Sequence, residues 1–400
     1  MPSRAAVFPI GAAATLAELE HDPHPLLARL REREPVSWLP ALDGWLVTRR
    51  DLALAVMRDP AAYTVDDPRF STAQVVGPSM LSLDGERHAA HRTPFARPFR
   101  LDAVRERFTS LVEAEAERLL DAVAPDGRAD LRRTLAGPLS VTAMVHALGL
   151  DETPAETVLG WYEAIVAAVT AITAGAPAPA SGAEAFTALC AAVEPALDGD
   201  PDVSLVAAAA GQAGGLTRAE VVSNAAVLLF GGIETTEGMI ATALFHLLSH
   251  EDQRLLVEAE PLLLENAVEE SLRLEPAASV VDRYATRDIR LAGAEIERGD
   301  LVRVSLAGAN RDPAVFARPD AFDVRRANAR LQLAFAQGPH VCLGMHLARL
   351  EARIALAAVL RQLPRVRLDP ARSAGPRGLV FRKPPEVYVV WDDPGGTLGA

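Results

Sequence analysis

"FAQGPHVCLGMHLAR", residues 335–349, decides how the rest of the chain is read. Gly338 and Pro339 give a turn signal, Cys342 follows, and "LGMHLARLEARIALAAVL" then runs on with an apolar helical period. The chain of 400 residues holds only 2 cysteines, the other being Cys190. Three chemistries suit a cysteine so placed: a zinc site with His340 and His346, a nucleophile with a histidine base, or a thiolate holding a larger group. Structural zinc sites usually present paired ligands at two separate stations, and no second station is evident. His340 and Cys342 are one residue apart in a bend, which says little about a nucleophile and its base. The thiolate reading uses more of the residues. The amides and dipole at a helix N-terminus favour a charged sulfur, Gly344 lets backbone come close to a bound group, and Phe335 can cover the sulfur. A thiolate of this kind suits a haem iron, to which it pushes electron density.

Composition narrows the alternatives. Hydrophobic residues make up 50% of the chain, enough for a large core or for two or three domains. A net charge of −13 argues against non-specific nucleic-acid binding as the main role. Lys383 is the only lysine; all other basic side chains of its class are arginines, whose planar fork suits buried anion sites. Two cysteines far apart give no disulfide framework, which points to a reducing interior. The opening "MPSRAAVFPIGAAATL" lacks the apolar core of a signal peptide. No uninterrupted apolar run reaches the roughly 20 residues that a bilayer span needs, so the sequence reads as soluble and cytoplasmic.

Working outward, "HPLLARLRERE" and "RRDLALAVMRD" are helical patterns, closed by Pro35 and Pro60. Between them "VSWLPALDGWLVT" alternates on both sides of Asp43-Gly44, a hairpin signal. Residues 61–86 keep no period and suggest a binding loop. Helix is expected over 101–124 and through the middle, interrupted by the Pro/Ala/Gly stretch 173–183, which reads as mobile. Residues 217–249 form the longest helical run, with Thr217 and Glu220 as a capping box and an apolar middle that should cross the core. A helix over 262–274 precedes strand-like pieces "SVVDRYAT", "IRLAGAEI" and "LVRVSLA", and the C-terminus alternates again in "GLVF" and "EVYVVW". There are no internal repeats, no G-x-G-x-x-G and no phosphate loop. The expected class is mainly α with small β-sheets.

The pattern Phe335-x-x-Gly338-x-His340-x-Cys342-x-Gly344-x-x-Leu347-Ala348 resembles the haem-binding signature of the cytochrome P-450 superfamily. Ala336 departs from it, standing where members often carry a second glycine. Three further stretches are similar to the family. His88 and Arg92 share one helical face in "GERHAAHRTPF" and resemble its H-x-x-x-R propionate site, with Arg283 and His340 as further propionate contacts. Glu270 and Arg273 resemble its E-x-x-R, completed by Arg326 or, in the other register, Arg325, in a structural role behind the cysteine loop. "FGGIETTEG" lies mid-helix, where paired glycines need a reason. The bland reason is a close helix contact; the sharper one is a widened helix that admits dioxygen and water. Glu234 and Thr235 resemble the family's acid–alcohol pair, which passes protons to dioxygen.

The resemblance implies one domain over 1–400, a triangular helical body whose long helix 217–249 lies over a haem b held by Cys342 in the loop 335–344. It implies a monooxygenase that activates O2 to oxidise a small hydrophobic substrate, typically by hydroxylation and in secondary metabolism. Electrons would come from a separate ferredoxin or flavodoxin with its reductase, docking on Arg97, Arg100 and Arg349. By family position the pocket draws on loop 66–83, Leu229, Phe230, Ala277 to Val281 (Val280 among them), Val380 and Phe381. Two other readings stay open at this point: a peroxide-driven haem enzyme, in whose relatives the acid–alcohol pair is often replaced, and a non-catalytic haem protein.

Overall fold

The computed structural model describes residues 3–173, 176–201, 204–211 and 215–392. Helices dominate, and three small sheets sit beside them. The hairpin forms as β1 (Val36–Leu39) and β2 (Gly44–Val47), paired from Val36↔Val47 to Leu39↔Gly44. A short 3₁₀ turn, Pro40–Leu42, closes it, with Asp43 in the left-handed region at φ 45°. With β3 (Tyr63–Thr64), β5 (Val280–Ala285) and β8 (Leu301–Ser305) it builds a five-stranded sheet ordered β1-β2-β8-β5-β3. A second sheet, ordered β4-β10-β9, joins Arg128–Asp130, Tyr388–Val390 and Arg367–Leu368. The pair β6 (Ile289–Leu291) and β7 (Ala294–Ile296) is the third.

The periodic helices fall close to their expected places, at His24–Arg33, Arg50–Arg58, Leu101–Val123 and Leu263–Leu274. In the first, Leu26, Leu27 and Leu30 make one buried stripe that follows the helical period. Two expectations are corrected. Residues 61–86 hold β3 and a helix, Ser71–Val76, too short to announce itself by period. "GLVF" is no strand; Phe381 makes only an isolated bridge to Ala278. The mobile reading of 173–183 falls partly on residues 174 and 175, outside the described residues; helix resumes at Ala180.

The long helix runs unbroken as α-helix from Arg218 to Ser249 and is buried along most of its length. Thr217 and Glu220 exchange the two capping-box hydrogen bonds, Thr217 N to Glu220 Oε2 at 2.8 Å and Glu220 N to Thr217 Oγ1 at 3.3 Å. It packs against Gly137–Leu148, Leu263–Leu274 and Met345–Gln362, at the centre of a hydrophobic cluster that runs from Val76 to Trp391. This helix and Ala155–Thr173 are long and apolar enough to cross a membrane, although glutamates interrupt the apolar run of each. For the long helix the reason is core burial, since 78% of its most apolar window lies inside the protein.

The widened-helix reading of Gly231-Gly232 is not what this backbone shows. A Cβ at Gly232 would stand 2.3 Å from Met144 Sδ, so close contact with the Gly137–Leu148 helix accounts for that glycine. At Gly231 a Cβ would meet nothing within 4 Å, because this residue faces a cavity.

Candidate active site

The cysteine loop is shaped by backbone. Gly338 has φ +79°, and a Cβ there would come within 2.3 Å of Met57 O, so no other residue fits without displacing the chain. Ala336 also lies in the left-handed region, at φ 57°. That explains why glycine suits this position, and alanine holds it at a cost of about 1–2 kcal/mol. Cys342 N donates to Phe335 O at 2.8 Å and closes the loop. The helix Met345–Gln362 starts just beyond, and the amides of Gly344 and Met345 point at the sulfur. Burial pushes the Cys342 thiol up; those amides and the guanidinium groups of Arg92 and Arg349 pull it the other way. Cys342 is exposed and lines a cavity of about 740 Å³, a volume in the range of small-molecule sites.

Basic residues gather at one side of this cavity. Arg92, Arg283 and His340 line it; His88, on the helix Gly85–Ala96, is buried outside the lining and packs at a tilt against His340 with ring centroids 4.3 Å apart. Burial, reinforced by the neighbouring His340 and Arg92, lowers His88 to about 4, so it is neutral near pH 7. Arg92 Nη2 donates to Val341 O at 2.6 Å, and Arg283, on β5, reaches the cavity wall. Among the described residues His88 Nε2 and Arg283 Nη2 are buried without a hydrogen-bond partner. Buried donors are rarely left idle, and a bound carboxylate would satisfy them. Asp84 belongs to the same group and was not singled out by sequence. It accepts from His340 Nε2 at 2.8 Å, Thr64 Oγ1 at 2.7 Å and Val65 N at 2.8 Å. Burial would raise its carboxyl, but these bonds outweigh it and hold it at about 2. Its only sequence signal is its place just before a helix, and it forms no cap there.

The central helix forms the facing wall. Leu228, Gly231, Gly232 and Thr235 line the cavity, following the i, i+3, i+4, i+7 rule of one helical face. Leu229 was expected there and is instead buried in the core, a rotation of one residue away. Phe230, Ala277, Val280, Val281, Val380 and Phe381 do line the cavity, joined by Arg69, Phe70, Met80 and Leu81 from loop 66–83. Thr235 Oγ1 donates to Gly231 O at 2.5 Å. Glu234 is buried, accepts from Tyr162 Oη, and receives Lys383 Nζ at 3.0 Å. Burial pushes the Glu234 carboxyl up, the Lys383 ammonium opposes this, and the net stays above the ordinary range. The acid and the alcohol adjoin in sequence but are engaged with different partners.

Glu270 and Arg273 are fully buried and Arg326 nearly so. Arg273 donates to both Glu270 oxygens, at 2.7 and 2.8 Å, and Arg326 Nε reaches them at 2.9 and 3.0 Å. Both guanidinium groups also hold backbone carbonyls between Asn310 and Ala321. Arg325, the other register, pairs with Glu260 at the surface.

The three arginines expected to dock the donor differ in their surroundings. Arg97 and Arg100 are exposed. Arg349 is committed to Glu269, at 2.5 and 3.2 Å, and stacks over the Phe335 ring at 4.4 Å. It therefore braces the cysteine loop, and Glu269 is a partner that sequence reading missed. The zinc alternative has no ligand set: among the described residues no three His, Cys, Asp or Glu side chains converge on one point.

Comparison with known proteins gives concordant results. A model of the cytochrome P450 family matches residues 202–377. Over 370 residues the chain is 37% identical to the cytochrome P450 monooxygenase PikC of Streptomyces venezuelae, spanning 87% of this chain and 85% of that protein. It is 36% identical over 387 residues to the 20-oxo-5-O-mycaminosyltylactone 23-monooxygenase of Streptomyces fradiae, spanning 92% of this chain and 88% of the relative. Among solved structures, myxobacterial cytochrome P450 CYP267B1 in complex with myristic acid superposes with a TM-score of 0.83 at 30% identity, covering 94% of this chain and all of the other.

Proposed function

The chain belongs to the cytochrome P450 family and is a haem-thiolate monooxygenase served by an external electron donor; from that premise we propose how its own residues divide the work within one domain. The observation that carries the proposal is that Cys342 and Thr235 line one and the same largely apolar cavity. Cys342 would hold the iron of haem b through its sulfur. His88, Arg92, Arg283 and His340 would hold its propionates, and the two idle donors of His88 and Arg283 fit that role. Phe335 and Gly344 border the sulfur side of the cavity. When bound, the haem supplies the activation of dioxygen and the oxidation of substrate.

The rest is done by side chains. Arg349 and Phe335 brace the loop from outside, and the Glu270–Arg273–Arg326 cluster fixes the backbone behind it. Thr235 presents a hydroxyl to the cavity, and Glu234 holds a proton at its raised carboxyl for transfer toward that hydroxyl. Apolar side chains from loop 66–83 and the Phe381 turn keep water out. Thr235→Ala is expected to retain haem and fold while diverting most of the electrons into hydrogen peroxide, an increase of severalfold, read as peroxide formed per NADPH consumed. Unaltered coupling would remove Thr235 from the proton route. The presence of both Glu234 and Thr235 favours the dioxygen route over a peroxide-driven one.

The substrate is a small neutral hydrophobic molecule, of the kind made in secondary metabolism. Two charged pairs on the cavity wall are matched within the protein: Arg303 grips Asp282 at 2.6 and 2.7 Å, and Lys383 meets Glu234. With Arg92, Arg283 and His340 taken by the haem propionates, the wall offers a charged substrate little compensation. A spin-state shift of the haem on titration with neutral against charged ligands tests this. We place the enzyme in the cytoplasm, with a ferredoxin or flavodoxin as donor. Such donors are acidic, and Arg97 and Arg100 remain as the docking cations. Reversing both to Glu should slow the first electron transfer several-fold at low salt and flatten its salt dependence; rates equal to wild type would clear this surface of the role.

A further inference from the structure

We propose that Lys383, the one lysine of the chain, is a positioning residue for proton delivery: its ammonium bridges Glu234 and Glu237 and keeps Glu234 poised beside the cavity. This rests on the reading of Glu234 and Thr235 as the proton-handling pair.

Glu234 and Glu237 are three residues apart, on one face of the central helix. Both are buried, with side-chain exposures of 6% and 9%. Two carboxylates so close repel each other and lose hydration, a combination that an unassisted helix does not tolerate. Lys383 Nζ answers both, at 3.0 Å to Glu234 Oε2 and 2.6 Å to Glu237 Oε2. Arg132 lies beyond, with Nε 2.9 Å from Glu237 Oε1. Exposure falls along the row from Arg132 at 20% and Lys383 at 18% to Glu234 at 6%. Tyr162 Oη closes the inner end on Glu234. The row thus runs from the protein surface to the cavity wall.

The ammonium is delivered by a turn with little freedom. Arg377 and Lys383 exchange backbone hydrogen bonds at 3.1 and 3.2 Å. Gly378 has φ +122°, and a Cβ there would fall 2.0 Å from Phe381 O, so the turn closes only on glycine. Next to Lys383, the buried Arg382 is tied to Glu275 Oε1 at 2.7 Å and to the carbonyls of Glu20, Gly378 and Pro376. A compact ammonium with three donors can serve two carboxylates from one point, which a planar fork does less readily. The proton that Glu234 passes inward is replaced from solvent along this row.

A single lysine makes the test direct. With ¹³C at the lysine Cε, the ferric holoenzyme gives one lysine side-chain resonance. It should move in Glu234→Gln and again in Glu237→Gln. In parallel, Lys383→Met should keep the haem content and the carbon-monoxide spectrum of the wild type yet raise peroxide per NADPH severalfold. Lys383→Arg should restore only part of the coupling, since its fork serves the two carboxylates less readily, whereas a merely space-filling role would not depend on a cation at all. A resonance indifferent to both Gln variants overturns the proposal, and so does wild-type coupling in Lys383→Met while Thr235→Ala uncouples. In that last case the acid–alcohol reading survives. Coupling that is unaltered in Thr235→Ala overturns both. Should Lys383→Met not hold haem, the resonance in the two Gln variants decides alone.

Discussion

Cys342→Ser is expected to abolish the strongly red-shifted Soret band that the reduced, carbon-monoxide-treated wild type should give, and to bring turnover down to background. The hydroxyl would sit where the sulfur does, below the same amides of Gly344 and Met345. Burial already works against the charged form of the thiol, and an alcohol is a far weaker acid, so serine stays neutral there. Without an anionic ligand the electron push toward dioxygen is lost. Cys190→Ser is the control. Cys190 lies on the helix Ala180–Ala196 and packs against the apolar core, so the spectrum should not change. A red-shifted band that survives Cys342→Ser in a folded, haem-loaded sample would dismiss Cys342 as the ligand.

Glu270→Ala should be the most destabilising single change in the scaffold, at about 3–5 kcal/mol. One carboxylate, with no exposed surface, neutralises two buried guanidinium groups and also accepts Asp323 N at 3.1 Å. Removing it leaves Arg273 and Arg326 charged and unpaired in the interior. Against the 5–15 kcal/mol that typically holds a domain folded, the loss is severe. The urea midpoint should fall and haem should be retained poorly, because the carbonyls fixed by these arginines lead into the cysteine loop. Glu270→Gln keeps two polar atoms at the site and should lose less. A Glu270→Ala midpoint within about 1 kcal/mol of wild type would show that the cluster is dispensable.

Features carried by one continuous stretch were legible from the amino acids. The cysteine loop, the capping box of Thr217 and Glu220, the one-face pairing of Glu270 with Arg273, and the hairpin around Asp43-Gly44 all depend on spacings of a few residues. Backbone geometry converts such spacings into shared faces without help from the rest of the chain. The choice of Arg326 over Arg325 followed the family spacing, and the burial of one beside the exposure of the other agrees with it. Short elements were harder. The helix Ser71–Val76 is less than two turns long and shows no period to count.

Pairings between distant segments were settled only in three dimensions. Nothing near Lys383 in sequence announces Glu234, 149 residues away, and nothing near His340 announces Asp84, 256 away. Arg349 looked like a free surface cation until Glu269, 80 residues earlier, was brought beside it. Leu229 gave up its expected place because helix rotation, set by packing against the Gly137–Leu148 helix, turned Leu228 to the cavity. Local periodicity names the faces of each element, so the amino acids alone determined the haem-thiolate class and the helix that crosses the core. Which faces meet depends on the packing of whole elements against one another, and only the tertiary structure decided the ionic partners and the exact lining of the cavity.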